Sequence, residues 1–274
     1  MMRRLQPTFL VFGVLGGLLL LNLVLPIVNL FLQADGPGWM MALREQGAGA
    51  LTVSALSSAI TVAITTLLGV PLGYLLARGR LPFTRFWIGL VFLPMVVPDL
   101  AGGILLLQTF GPYGTIGHPL GAWNLELTNN LAGIVLAQLF VSAPFVVVSA
   151  LAAFAGVDPK LEMAAATLGD SQWHIFWRIS LPLAWPGIAS GITLAWIRAL
   201  GEFGATLIVA YNPHTLPVYM WVRFEADGLI GALPVAFRLV LLAGGAVAIS
   251  TLLSRLSGYR DTTAVLGDTY GRPS

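Results

Sequence analysis

The 274 residues contain no cysteine and only three histidines. The first absence excludes disulfides, thiolate metal sites and thiol redox chemistry. The second leaves little from which to build a histidine metal cluster. Charge is scarce as well: Asp, Glu, Lys and Arg make up 9% of the chain, against about 25% in an ordinary soluble domain. No G-x-x-x-x-G-K-[ST] stretch occurs, so the chain lacks the phosphate loop that would let it hydrolyse ATP by that route. No internal repeat is visible, which weighs against a secondary carrier made of two corresponding halves. The few charges inside apolar runs do not cluster at catalytic spacing, which disfavours an embedded enzyme. No catalytic, cofactor-binding or metal-binding residue is expected, and nothing points to nucleic acid.

What the chain has in abundance is apolar surface, with 57% hydrophobic residues. A helix needs roughly 20 apolar residues to cross the hydrocarbon of a bilayer. Runs of that length predict an all-α, polytopic membrane protein of one domain, 1–274, in contact with membrane lipid. Six transmembrane helices are expected, at about 9–32, 51–77, 86–110, 131–154, 183–210 and 233–255. The first run is too long for the apolar core of a cleaved signal peptide and reads as a retained helix. Arg3, Arg4, Arg78, Arg80, Arg85, Lys160, Arg178, Arg255, Arg260 and Arg272 fall on one side of such a topology. Arg44 and Arg223 fall on the other, with Arg238 just inside the last span. The positive-inside rule then puts both termini and the 157–182 segment in the cytoplasm of a multi-pass inner-membrane protein. The loops 33–50, 111–130 and 211–232 face outward, rich in Gly, Pro and Asn. The tail after Arg255 is too short for a folded regulatory domain.

The segment "VDPKLEMAAATLGDSQWHIFWRISLP" is too polar to span. Asp158-Pro159 forms a helix start, with a capping carboxylate and proline at the first helical position. Leu161, Ala164, Ala165 and Leu168 recur at helical spacing. Gly169 is placed to end that helix in the left-handed conformation, and Asp170 or Ser171 can cap a second short helix. That second helix sets Trp173, Phe176 and Trp177 on one side and His174 and Arg178 on another. Pro182 then lets the chain turn back into the membrane. Three readings remain on pattern alone: an interfacial helix with its tryptophans among lipid headgroups, a loop packed on its own bundle, or a docking knob for a cytoplasmic partner.

The segment resembles the EAA loop of ABC-importer permeases. In that pattern Glu-Ala-Ala is followed by three residues, Gly, nine residues, and Ile-x-Leu-Pro. Ala164, Ala165, Leu168, Gly169, Ile179, Leu181 and Pro182 stand at matching positions. The glutamate position holds Met163, with Glu162 one residue earlier, a displacement of about 100° around a helix. The resemblance implies a type I ABC-importer permease fold in which Pro159 to Trp177 couple to a cytoplasmic ATPase subunit. It also implies an extracytoplasmic substrate-binding protein on the outward loops and a permease homodimer, with a paralogous partner as the alternative.

Span five contains "WIRALGEFGATLIVA", where Arg198 and Glu202 lie four apart. Ionisable groups at such depth face a bundle interior or a water path. The pair reads either as a self-neutralising structural ion pair or as part of an anion pathway. Gly201 and Gly204 suit close approach of another backbone, at a dimer interface or gate. Asp99, in "LPMVVPDLAGG", sits in a stretch that suggests a broken helix near the pore or a carboxylate capping a helix restart. "RALGEFGAT" and "FGPYGTIGHPL" resemble the molybdate, tungstate and sulfate branch of these permeases. That implies an oxyanion importer, molybdate or tungstate first. Permeases for thiamine, iron or phosphonate share the architecture, and from another class an ATP-independent channel or carrier is the alternative.

Overall fold

The computed structural model describes residues 7–34, 39 and 47–256. Arg3, Arg4, Arg44, Arg260, Arg272 and most of the 33–50 loop lie outside the described residues, as does the tail beyond Leu256. Among the described residues every regular element is helical. In chain order they are α1 (Pro7–Leu32), α2 (Ala48–Ala77), α3 (Thr84–Val96), α4 (Asp99–Phe110), α5 (Gly117–Gly121), α6 (Leu131–Ala155), α7 (Pro159–Thr167), α8 (Gln172–Leu200), α9 (Gly204–Val209) and α10 (Leu216–Leu256).

Five helices are long and apolar enough to cross a membrane, and the α3–α4 pair makes a sixth if it counts as one broken span. α6 is the central post. Asn130 caps its first turn by accepting from the Gly133 N–H at 2.9 Å, and α6 packs mainly on α2 and α8. One core, with Val70, Tyr74, Val146, Phe154, Ala184 and Ile188, joins these three helices. A second, with Leu106, Ala137, Val141, Ala205 and Val209, joins α4, α6 and α9. Small residues set the spacing: a Cβ on Gly73 would stand 2.9 Å from the Leu151 backbone nitrogen. With little water to solvate them, several polar side chains in this bundle bond to one another. Thr61 donates to Gln138 Oε1 at 2.9 Å, Gln138 Nε2 donates to Ser57 at 3.1 Å, and Trp196 donates to Ser58 at 3.2 Å. α1 lies outside the bundle with exposed side chains along most of its length, meeting α10 where Phe31 stacks edge-on against Phe237 at 5.0 Å.

Three spans depart from the expected bounds. Span 86–110 is two helices bent by 112°, the break that the Asp99 stretch suggested, because Pro98 cannot continue the hydrogen-bond ladder and disfavours helix in the residue before it. Span 183–210 ends its helix at Leu200, breaks over 201–203, and resumes as α9. The stretch 216–232, expected as outward loop, is helical and belongs to α10, with one break at Gly228 (φ 65°). Its Trp221 and Phe224 stack at 6.0 Å beside the Arg223–Asp227 pair. That mixture of aromatic and charged residues hid the helix from a hydropathy reading.

Candidate functional site

The 157–182 segment folds as an elbow at one end of the bundle. Asp158 accepts from the Lys160 N–H at 2.9 Å and Pro159 opens α7. Gly169 ends the bend at φ 94°, a conformation that a side chain makes costly. Ser171, not Asp170, caps the next turn by accepting from the His174 N–H at 3.3 Å. The second short helix is not separate: from Gln172 the chain is helical to Leu200. It passes through a π turn, Phe176–Ser180, where the Leu181 N–H donates to Phe176 O. Pro182, next in line, has no N–H to give and its ring crowds the carbonyl four residues back, which a widened turn accommodates.

The faces of α7 are inverted relative to a soluble amphipathic helix. The expected apolar stripe of Leu161, Ala164, Ala165 and Leu168 does not pack as a unit. Glu162 and Ala165 are buried, while Leu161, Met163, Ala164 and Leu168 are exposed. Leu168 is 87% exposed and Met163 59%. α7 thus hides its carboxylate and leaves leucine and methionine exposed.

Glu162 is what fixes α7 to the bundle. Arg78, at the end of α2, grips its carboxylate with Nε at 3.0 and 3.1 Å and Nη2 at 2.6 Å. Nη2 also donates to Val157 O at 3.3 Å. Ser180, buried in the π turn, donates to Oε1 at 2.6 Å. Burial pushes the Glu162 carboxyl up, but hydrogen bonds from Arg78 and Ser180 and the charges of Arg78 and Arg80 outweigh it, holding the group below the ordinary glutamate value. One side chain thus ties three elements together: α2, α7 and the base of α8. Sequence reasoning missed this clamp because Arg78 and Arg80 served only as orientation signals. The cue was an Arg directly after an apolar helix, opposite a Glu in the first turn of the next polar one.

Aromatic rings extend the contact. Phe176 meets Tyr74 at 5.0 Å and Phe154 at 6.0 Å. Trp177 meets Phe176 at 5.3 Å and Trp173 at 5.5 Å, and both tryptophans remain half or more exposed. Ile179 and Leu181 are half-buried, Asp170 and Pro182 are exposed.

Some 27 Å further along α8, at 1.5 Å per residue, lies the second cluster. Arg198 Nη1 bonds Glu202 at 2.9 Å and Nη2 bonds Asp99 at 2.6 Å. Glu202 lies past the helix end rather than on its face; its fully buried carboxylate also accepts from the Ala205 N–H in the first turn of α9 at 2.7 Å. Asp99 opens α4 without capping it, and its side chain is 42% exposed. Gly204 packs against this same chain: a Cβ there would meet Asp99 Cβ at 2.8 Å and the Leu100 nitrogen at 3.0 Å. Gly201 ends α8, with only its own helix nearby. So the two broken spans, α3–α4 and α8–α9, meet at their breaks, joined by one guanidinium between two carboxylates.

Residues 69–257 match the model of the binding-protein-dependent transport system inner membrane component. A probable molybdenum ABC transporter permease protein of Haloferax volcanii is 43% identical over 234 residues, covering 85% of this chain and 86% of its own. The molybdate/tungstate transport system permease protein WtpB of Thermococcus kodakarensis is 40% identical over 247 residues, covering 89% and 94%. Among solved structures, a bacterial ABC transporter involved in the import of the acidic polysaccharide alginate superimposes with a TM-score of 0.67 at 19% identity, over 91% of this chain and 95% of that one. An elbow that breaks the apolar run between α6 and α8, a bundle of this shape and relatives at this identity have one common explanation: the chain belongs to the inner-membrane permease family of binding-protein-dependent ABC importers.

Proposed function

We propose that this permease moves an oxyanion, molybdate or tungstate before sulfate, with energy supplied by a separate ATPase subunit bound to α7. The observation that supports the substrate is the kinship with relatives at 43% and 40% identity, which are named as molybdenum and molybdate/tungstate permeases. The inverted face of α7 supports the ATPase: Leu161, Met163 and Leu168 form the surface that enters its cleft, and Glu162 stays behind as the anchor. In this reading the α7 end of the bundle is cytoplasmic, a binding protein docks on the opposite loops, and two copies of the chain enclose the path. The chain itself is a transport subunit and not an enzyme.

Coupling then follows from rigidity. ATP holds one arrangement of the two ATPase subunits better than the other, and that difference in affinity biases the permease. Displacement of α7 is carried by Glu162 to Arg78 and α2, and by Ser180 and Phe176 into α8. The far end of α8 holds Arg198 between the two helix breaks. Arg198 reaches a passing anion by releasing Asp99, the more exposed of its two partners. With all three groups ionised the cluster carries one net negative charge, so it opposes an oxyanion until that release.

Reconstitution with the ATPase and binding protein in vesicles tests the reading. ATP-dependent uptake of labelled molybdate, competed by tungstate, is expected. Uptake without the ATPase, or uptake of thiamine in place of oxyanions, contradicts it.

A further inference from the structure

The elbow leaves a cavity of about 530 Å³ between itself and α2. Its walls are almost wholly apolar, with Leu67, Val70 and Pro71 on one side and Trp173, Trp177 and Trp185 on the other. At its rim sits Arg80, whose Nη2 bonds the neutral Gln172 at 2.7 Å and whose guanidinium stands 5.7 Å from the Tyr74 ring. Among the described residues Arg80 makes no ion pair with a carboxylate. The nearby Glu162 is already gripped by Arg78, so the three groups together retain one positive charge. The rest of this end of the chain, with Arg85, Lys160 and Arg178 against Asp158 and Asp170, is also net positive.

We propose that this groove is a binding site for an anionic phospholipid, an acyl chain lying along the tryptophans and the headgroup phosphate meeting Arg80. Three observations favour a lipid. The walls carry no hydrogen-bonding pattern that a peptide backbone would need. The single cation sits at one end of an apolar slot, the arrangement of charge in a phospholipid itself. Tryptophans with an apolar body and a polar N–H are the side chains of the headgroup level. The proposal rests on the elbow lying at the cytoplasmic leaflet, where anionic headgroups attract basic side chains. It divides the aromatic elbow from α7: α7 presents its leucines to the motor, while the tryptophans keep the hinge in contact with lipid.

The test uses the full chain in phosphatidylcholine vesicles containing a small fraction of brominated lipid, which quenches tryptophan fluorescence on contact. Brominated phosphatidylglycerol is expected to quench about fivefold more effectively, per mole, than brominated phosphatidylcholine, the ratio that about 1 kcal/mol per basic side chain near an anionic surface gives. Arg80→Gln is expected to abolish the excess and Arg80→Lys to keep it. Trp173→Phe with Trp177→Phe is expected to remove most of the phosphatidylglycerol excess, locating it in the groove. Equal quenching by both lipids, or an excess that survives Arg80→Gln, overturns the proposal. No quenching of these tryptophans by either lipid means that protein covers the groove, and overturns it equally. None of these outcomes depends on ATP turnover, so the lipid site fails separately from the transport reading, whereas elbow tryptophans quenched only by lipid confined to the outer leaflet would sink both.

Discussion

Replacing Glu162 by Gln separates an internal anchor from an external contact. The side chain keeps its shape, but Arg78, whose side chain is 9% exposed, loses its counter-ion. Breaking one partner of a buried pair costs about 3–5 kcal/mol, because the remaining charge is stranded. Arg78→Gln strands Glu162 with Ser180 as its main donor and falls in the same range. The double variant Arg78→Gln/Glu162→Gln strands nothing, so it is expected to cost less than either single, which means a recovery relative to the sum larger than the cost of one single, about 3–5 kcal/mol. Thermal unfolding of the purified subunit in detergent reads this cycle without any partner present. The ordering is wild type, then double variant, then either single. The sign of the pH dependence also follows. Because the folded carboxyl lies below its ordinary value, its contribution is complete above the ordinary glutamate range and disappears only as the pH falls through the lowered value. Wild type is therefore expected to be flat from pH 6 to 8 and to approach Glu162→Gln in strong acid. If Glu162→Gln left the isolated subunit unchanged in stability while abolishing ATPase assembly, the carboxylate would point outward and the reasoning would be refuted.

Other outcomes bear on the remaining parts. Gly169→Val is expected to cost about 1–3 kcal/mol of elbow stability through backbone strain alone, since open space surrounds the missing Cβ. Gly169→Asn, tolerant of that conformation, is expected to retain coupled ATP turnover; equal loss in both would place the defect elsewhere. Met163→Asp on the exposed face of α7 is expected to leave unfolding unchanged and weaken ATPase copurification at least tenfold, the effect of a charge stranded in an apolar contact. Arg198→Gln is expected to impair folding by about 3–5 kcal/mol by stranding the buried Glu202 carboxylate. Recovery of fold and transport in Arg198→Gln/Glu202→Gln/Asp99→Asn would mark the cluster as a structural clamp, and recovery of fold without transport would mark Arg198 as part of the path.

The sequence told most where one physical rule acted alone. α1, α2 and α6 are long uncharged runs, and hydropathy located each within a few residues. The break at Pro98 was visible as a Pro- and Gly-rich stretch, but not its 112° angle, which depends on α4 packing against α9 through Gly103, where a Cβ would meet Ala205 Cα at 2.9 Å. Glu202 was read as a helical neighbour of Arg198; it reaches Arg198 from the turn beyond the helix instead, a geometry set by its bond to Ala205. The face of α7 was misread for a deeper reason. Periodicity assumes that apolar residues go inside, and α7 reverses that assumption, with Glu162 held inside by Arg78 and Met163 and Leu168 left outside. Arg78 and Glu162 stand 84 positions apart in the chain, too far for any local pattern to pair them.

The absence of native cysteine makes the decisive measurement a clean one. Leu168→Cys on α7 and Tyr113→Cys in the loop after α4, which is 98% exposed, each give a single thiol in the chain. A short bifunctional cross-linker applied to the permease reconstituted with its ATPase is predicted to join Leu168→Cys to the ATPase subunit and to leave Tyr113→Cys unjoined. Cross-linking from Tyr113→Cys, or labelling of Leu168→Cys only from the outer face of sealed vesicles oriented as in the cell, would contradict the account.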